Sequence, residues 1–169
     1  MTASAKVDPE RIRDRRAHED LNVFSRLPAV YAASRTQGLQ FLKAGGGLSI
    51  VEWRTLWDLS EGGPMTIRDL AAIQRADHSL LSRALPAMRD KGYITMRRDE
   101  TDKRQTLVEI TSKGRDAYRK AAPIMARRRA ALREAMGEDD LRTLIMLLNR
   151  LDAFLHVPAE HILETETTR

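Results

Sequence analysis

Apolar residues recur along most of this chain at the three- and four-residue spacing that places them on one face of a helix. With the caps and breakers between them, they predict helices at residues 20–44, 49–59, 67–73, 77–90, 111–136 and from 138 to about 155. Pro28 falls inside the first of these and predicts a kink or a restart there. The glycine run at 45–47 ends that helix, and Ser49 with Glu52 has the spacing of a capping box for the next one.

The middle of the chain predicts a helix-turn-helix followed by a hairpin. Thr66 and Asp77 are good N-caps for two short helices that are joined by a tight turn. Residues 93–97 and 106–110 then alternate between apolar and polar, as strands with one buried face do. The residues between them, 98–105, are all polar or charged, so we predict a β-hairpin with a charged tip.

Composition adds a preference for an anionic partner. The 169 residues suit one domain, and 29 Lys and Arg against 24 Asp and Glu give a formal charge of +5. A basic balance of this kind favours a polyanion without identifying it. Residues 1–17 have little to bury and predict a basic arm, flexible or partly helical. Its arginines are Arg11, Arg13, Arg15 and Arg16.

Several classes of protein are disfavoured. The absence of cysteine excludes disulfides, thiolate metal sites, cysteine nucleophiles and thiol-based sensing. The sequence has neither the apolar core of a signal peptide nor a stretch near the roughly 18 apolar residues of a membrane helix, which predicts a cytoplasmic protein with no membrane partner. The four histidines lack metal spacing, and the glycine run lacks the lysine of a phosphate-binding loop. We therefore expect no metal, no cofactor and no enzyme activity.

The order of the elements, and the residues within them, resemble the multiple antibiotic resistance regulator (MarR) family. The resemblance covers roughly residues 50–115 and rests on Trp53 and on segments 65–71, 79–85, 91–94, 99–104 and 107–114. It implies a mainly α fold with a small β-hairpin, in which a winged helix-turn-helix DNA-binding lobe carries long N- and C-terminal dimerisation helices. The implied segments are the arm at 1–17, an N-terminal dimerisation helix at 18–48, the lobe at 49–111 and C-terminal dimerisation helices at 112–169.

The resemblance also implies sequence-specific binding of double-stranded DNA at a pseudo-palindromic operator. The helix at 77–90 would enter the major groove, where Arg83 can pair with a guanine edge or clamp a phosphate. In the wing, which is the charged hairpin, Asp102 would orient Arg104 into the minor groove. The residues expected at DNA are Thr66, Arg68, Arg75, His78, Ser79, Ser82, Arg83, Arg97, Arg98, Asp102, Lys103 and Arg104.

Plainer roles remain open for several of these residues. His78 is equally consistent with a solvated position on a helix surface, and an ion pair between Asp102 and Arg104 would stabilise a solvated hairpin tip. Thr66 and Arg68 suit a backbone phosphate, which they would position rather than read. The alternative function is a winged-helix module for protein or RNA contacts without operator binding.

The last helix predicts a second copy of the chain as partner. Its apolar stripe consists of Leu141, Leu144, Ile145, Leu148, Leu151 and Leu155. Met146 and Leu147 widen this face beyond what the interior of one domain readily covers. The resemblance implies a homodimer formed through the terminal helices, and the alternative is an ordinary buried helix.

A possible small-molecule effector is suggested by Trp53 and Trp57, which lie four residues apart on one helix face. The candidate effector residues are Tyr31, Arg35, Trp53, Arg54, Trp57 and Tyr118. Either Arg35 or Arg54 could pair with a ligand carboxylate. The resemblance implies a repressor that a small aromatic or anionic effector releases from DNA, and the alternative is that the aromatic cluster is plain core.

Overall fold

The computed structural model describes residues 7–100 and 102–164. Within these ranges the helices are α1 (Pro9–Asp20), α2 (Val23–Ala44), α3 (Ile50–Gly62), α4 (Ile67–Gln74), α5 (His78–Asp90), α6 (Ser112–Met136), α7 (Glu138–Leu155) and α8 (Ala159–Glu164). The strands are β1 (Met65–Thr66), β2 (Ile94–Arg98) and β3 (Thr106–Ile110). The chain is mainly α with a small antiparallel sheet, so the predicted fold class is confirmed.

The sheet joins the helix-turn-helix to the wing. Strand β3 lies between β1 and β2 and is antiparallel to both, with Val108 opposite Met65 on one side and opposite Met96 on the other. The hairpin of β2 and β3 was predicted, but β1 was not, because two residues are too few to show alternation. β1 leads directly into α4, so its pairing with β3 fixes the start of α4 beside the base of the wing.

Several helix boundaries differ from the predicted ones. Most of the predicted basic arm is helical, since Asp8 caps α1 by accepting a hydrogen bond from a first-turn amide. α2 continues through Pro28, and α3 extends to Gly62 because its capped start and its buried face support another turn. α8 was not predicted. The predictions made for residues 1–6 and 165–169, in the arm and in the C-terminal dimerisation segment, lie outside the described residues.

One hydrophobic core holds the helix-turn-helix to the sheet. Leu56 of α3, Leu70 of α4, Leu85 of α5 and Val108 of β3 are each 0% exposed. Burial of an aliphatic side chain of this size contributes roughly 1.5–3 kcal/mol relative to leaving it in water. The inner faces of α4, α5 and the sheet share this core, and the shared packing fixes their positions relative to one another.

The chain divides into two compact units, Met1–Met125 and Ala126–Arg169. The first contains α1 to α5, the sheet and the first half of α6. The second contains the end of α6, α7 and α8, and α7 has no buried residue. The segment boundaries predicted from the sequence stay a prediction. Throughout the described ranges, the helices fall short of the length and apolar character needed to cross a bilayer.

Candidate nucleic-acid interface

A cleft of about 450 Å³ lies where the start of α4 and the start of α5 meet the wing. Its lining consists of Thr66, Ile67, Arg68, His78, Ser82, Asp102, Arg104, Gln105 and Thr106. Six of the residues predicted to contact DNA are among them, although they come from three separate stretches of sequence. The remaining predicted residues, which lie outside this lining, are Arg75, Ser79, Arg83, Arg97, Arg98 and Lys103.

The start of α4 is closed by a capping box that the sequence reading missed. The Thr66 hydroxyl accepts a hydrogen bond from the Asp69 amide at 3.1 Å, and Asp69 Oδ2 accepts from the Thr66 amide at 3.1 Å and from its hydroxyl at 2.7 Å. These bonds from Thr66 lower the pKa of the Asp69 carboxyl. The Thr66 hydroxyl is thus occupied by the helix cap, and Arg68 is the exposed cation at this edge of the cleft. An Asp three residues after a Thr was the available signal.

Helix α5 begins after the predicted N-cap Asp77, and its first two turns carry a polar face. Asp77 Oδ1 accepts from the Ser79 amide at 2.7 Å, and this hydrogen bond lowers the pKa of the Asp77 carboxyl. His78 Nδ1 lies 3.3 Å from Ser82 Oγ, so the two side chains are hydrogen-bonded to each other within the cleft. Arg83 Nε donates to the Ser79 carbonyl at 3.2 Å, which lays the guanidinium along the exposed face of α5.

The wing tip is held by Asp102 through the backbone of Arg104 and the side chain of Gln105. Asp102 Oδ1 accepts from the Arg104 amide at 3.0 Å, and Oδ2 accepts from Gln105 Nε2 at 3.0 Å. The hydrogen bond from Gln105, followed by that from the amide, lowers the pKa of the Asp102 carboxyl. Asp102 therefore fixes the backbone of the turn at Arg104 instead of pairing with its guanidinium, because a carboxylate at this turn position reaches the amide two residues later. The Arg104 side chain is exposed.

Two other arginines of the wing, Arg97 and Arg98, make contacts within the hairpin. Arg98 Nη1 donates to the Lys103 carbonyl at 2.9 Å across the tip, and Arg97 Nη1 lies 3.3 Å from Glu100 Oε1. Arg98 thereby stabilises the turn that carries Lys103, which is itself exposed. The exposed ion pair of Arg97 contributes little to stability and can exchange for a phosphate.

Arg75 forms the joint between α4 and α5. It is the C-cap of α4 and has a φ of 47°, the left-handed conformation that favours glycine. A residue with a Cβ in this conformation costs about 1 kcal/mol. The tight turn predicted between the two helices is present, and it places Arg75 on the surface outside the cleft.

Five of the six candidate effector residues fall into two groups. Trp53 stacks on Tyr118, with ring centroids 5.5 Å apart, and lies 5.6 Å from the ring of Trp57. Trp53 is 3% exposed, so this trio packs as part of the core. Tyr31 is 68% exposed, and Arg35 is exposed as well. The ring contacts of Trp53 are with Trp57 and Tyr118 and do not include Tyr31.

Arg54 has a structural partner on the helix-turn-helix. Its guanidinium donates to the Gln74 carbonyl at the end of α4. Gln74 is itself buried and donates through Nε2 to Asp58 Oδ2 at 2.8 Å. Burial raises the pKa of Asp58 despite this hydrogen bond. α3 is therefore fastened to α4 by polar contacts that the apolar pattern could not reveal.

The predicted dimerisation residues lie on one face of α7, and most of their side chains are exposed within the second unit. Leu144, Ile145, Leu148 and Leu155 are 39%, 58%, 44% and 51% exposed, while Leu141 and Leu151 are half-buried. Met146 and Leu147, which widen the face, are 52% and 49% exposed. Within the second unit this face is not covered, and the choice between a dimer interface and an ordinary buried helix stays a prediction.

Sequence reasoning missed an ion pair that ties α3 to the end of α5. Lys91 Nζ lies 2.6 Å from Glu52 Oε1, and Glu52 is also the capping-box residue that accepts from the Ser49 amide at 2.7 Å. Burial alone would raise the pKa of Glu52, but the hydrogen bonds from Lys91 and Ser49 outweigh it and lower the pKa. A separation of 39 residues gives no local signal for such a pair.

The chemistry available in the cleft is that of an anion receptor. Arg68 and Arg104 supply charge, and His78 with Ser82 supplies polar hydrogen-bonding groups. Among residues 7–100 and 102–164, no group of His, Cys, Asp or Glu side chains is arranged to hold a metal ion. Guanidinium groups on convergent elements suit the oxygens of successive phosphates.

Comparison with known proteins finds a match to one family within the lobe. Residues 48–106 match the MarR family. The HTH-type transcriptional regulator BilQ of Clostridium symbiosum (strain WAL-14163) is 31% identical over 84 residues, which make up 50% of this chain and 58% of BilQ. The match thus spans little more than half the length of that curated relative.

Solved structures share the fold over more of the chain. AbsC, a MarR family transcriptional regulator from Streptomyces coelicolor, covers 92% of this chain and 100% of its own, with a TM-score of 0.68 and 23% identity. MOSR of M. tuberculosis, solved in complex with DNA, covers 80% and 98%, with a TM-score of 0.67 and 24% identity. BpsR of Bordetella bronchiseptica, studied for regulation of DNA binding by 6-hydroxynicotinic acid, covers 75% and 98%, with a TM-score of 0.60 and 13% identity.

At these identities the structural likeness establishes the fold. BilQ and AbsC are both named as transcriptional regulators. Residues 48–106 are thus similar to the MarR family, and the chain shares the winged helix-turn-helix fold of the solved structures.

Proposed function

We propose that this chain is a sequence-specific transcriptional regulator that binds double-stranded DNA as a homodimer at a pseudo-palindromic operator. The observation that supports this most strongly is the cleft in which α4, α5 and the wing present Arg68, Ser82 and Arg104 together. The formal charge of +5 favours a polyanion, and MOSR, which has the same fold, was solved with DNA.

In this proposal α5 lies in the major groove. Ser79, Ser82 and Arg83 face outward from its first two turns, where base edges are within reach. Arg83 uses Nε to hold the Ser79 carbonyl, so its two terminal nitrogens remain to pair with a guanine edge or a phosphate. His78, bonded to Ser82, lies at the entrance of the groove and would contact phosphate or base through its other ring nitrogen.

The wing supplies the second contact. The turn that Asp102 fixes carries Arg104 outward, and a guanidinium inserted into a narrow minor groove meets concentrated negative potential. Arg97, Arg98 and Lys103 would add contacts to the flanking phosphates. These contacts position the lobe, and α5 supplies most of the sequence selection.

The homodimer would form through the exposed apolar face of α7. Two lobes related by a two-fold axis read two half-sites one helical turn apart, about 34–36 Å, and so gain affinity on a palindrome. A single lobe on one half-site would make few contacts with DNA and would bind it weakly.

We extend the proposal to a repressor that a small aromatic or anionic effector releases from DNA. BpsR, a neighbour in fold, was studied with 6-hydroxynicotinic acid, an aromatic acid of this class. A ligand seated at Trp53 and Tyr118 would have to separate their stacked rings, and a ligand at Arg54 would compete with the Gln74 carbonyl. Titration with hydroxylated aromatic acids, followed by tryptophan emission, should show saturable quenching, and a flat response contradicts the effector proposal.

Operator binding is tested with two arginine variants and a matched control. We expect Arg104→Ala to weaken binding to every duplex and to reduce the slope of log affinity against log salt by about one. Arg83→Ala should in addition change the preferred sequence. Arg119→Ala, an exposed arginine on α6 outside the cleft, should leave both properties unchanged. Fluorescence anisotropy across a salt series gives all three.

The result that would contradict the proposal is binding without salt dependence or without sequence preference. Such a result would favour a winged helix used for protein or RNA contacts.

A further inference from the structure

A second cleft, of about 290 Å³, lies between the glycine turn at 45–47 and the first turns of α6. Its lining consists of Gly45, Gly46, Leu48, Tyr93, Lys113, Asp116, Ala117 and Lys120. It shares no lining residue with the cleft at α4, α5 and the wing. DNA binding as proposed above makes no use of it.

The glycine turn forms one wall of this cleft by approaching α6 closely. A Cβ added at Gly45 would lie 3.0 Å from Ala121 Cα, a backbone atom that cannot move aside. Gly46 and Gly47 have φ values of 108° and 83°, which side-chain-bearing residues rarely adopt. The glycine run therefore does more than end α2, since it brings the turn against α6 and shapes the cleft between them.

The opposite wall carries two lysines. Lys113 and Lys120 are seven residues apart on one face of α6, and both are exposed. Among the described residues Lys120 has no ion-pair partner, while Asp116, the one acid in the lining, is already paired with Arg119. The lining therefore carries two cations against one carboxylate, and that carboxylate is shared with Arg119.

Lys113 retains hydrogen-bonding capacity although it has partners. Its Nζ donates to the Lys91 carbonyl at 2.7 Å and lies 5.7 Å from the centroid of the Tyr93 ring. An ammonium group has three N–H donors, so one bond to a carbonyl leaves two. These contacts hold the charge in place, which reduces the entropy lost when it binds a ligand.

We propose that this cleft binds a small anion through a phosphate or carboxylate group held between Lys113 and Lys120. Its volume suits a compact metabolite, with Leu48 and Tyr93 offering an apolar wall to the rest of the molecule. Because Lys113 also holds the carbonyl of Lys91, the C-cap of α5, a bound anion is linked to the end of the helix proposed to read DNA. This coupling rests on the proposed function, whereas the binding site itself does not.

The binding site is tested by calorimetry on the full chain with inorganic phosphate and with succinate as probes. Sodium chloride of matched ionic strength is the reference, so that general screening is subtracted. We expect saturable binding of at least one probe, one per chain. Lys120→Met should weaken it roughly tenfold or more, and Lys120→Arg should largely restore it. Lys43→Met, an exposed lysine near the end of α2 outside the lining, should bind as the wild type does.

Absence of saturable heat with both probes overturns the proposal, and so does undiminished binding by Lys120→Met. If Lys120→Met binds the anion probes as the wild type does but loses operator affinity, Lys120 contacts DNA and the anion site is refuted.

The coupling is tested by operator affinity with and without the bound probe at constant ionic strength. A shift in the wild type that is absent in Lys120→Met is expected, and equal affinities overturn the coupling. A chain that binds the probe but no DNA would refute the proposed function and leave the anion site standing.

Discussion

The two compact units bury their leucines to very different extents. In the first, Leu81 and Leu85 of α5 are 0% exposed, packed among α3, α4 and the sheet. In the second, Leu148 and Leu155 of α7 are 44% and 51% exposed, although α7 has as clear an apolar stripe as α5. The difference teaches that periodicity identifies an apolar face but not what covers it. For α5 the cover is the lobe itself, and for α7 we propose a second copy of the chain.

The largest expected effect comes from making the same substitution in both units. Leu85→Ala removes a fully buried side chain and should lower the free energy of unfolding by about 2–5 kcal/mol. Leu148→Ala, at a concentration where the chain is monomeric, should cost less than about 1 kcal/mol because its side chain is already half in water. Urea denaturation followed by circular dichroism measures both. Equal costs would show that α7 is as well packed as α5.

The next effect concerns the partner of α7. Ile145→Asp combined with Leu148→Asp should prevent dimerisation and reduce operator affinity roughly 100-fold, about 2.7 kcal/mol, while the lobe stays folded. Thr143→Asp adds the same kind of charge on another side of α7 and should leave the dimer intact. Sedimentation velocity and anisotropy are the measurements. A double variant that remains dimeric would remove α7 from the interface.

A smaller effect is expected at the ion pair between Glu52 and Lys91. Glu52→Gln should lower the stability of the lobe by about 1–2 kcal/mol near neutral pH, because a charged hydrogen bond at a half-exposed pair is lost. The pKa of Glu52 is lowered from its ordinary value of 4.5 in the folded chain. Its contribution is therefore complete above that value and is lost as the pH falls through the lower, folded pKa.

The measurement is the difference in stability between the wild type and Glu52→Gln as the pH is lowered from 7 towards 3. We expect the difference to shrink below about pH 4.5. A difference that is constant over this range would mean that the pair contributes through packing and not through charge.

The candidate DNA site shows where sequence reasoning succeeds and where it stops. Asp77 as N-cap, the hairpin and the bounds of α6 follow from local patterns, and all three are present. The hydrogen bond from the Arg104 amide to Asp102 was not predicted, because it depends on the backbone of the turn. The link between Glu52 and Lys91 had no local pattern at all.

The sequence by itself determined the order of the long helices and of the hairpin strands, the cationic wing, the absence of thiol chemistry and the likeness to a family. These properties depend on residues close together in the chain, where spacing and capping act directly. Only the tertiary structure decided that His78, Arg68 and Arg104 line one cleft, that Trp53 is core, and that Lys113 and Lys120 face a glycine turn. The physical reason is that such meetings depend on how the helices pack, and packing is fixed by the whole core at once.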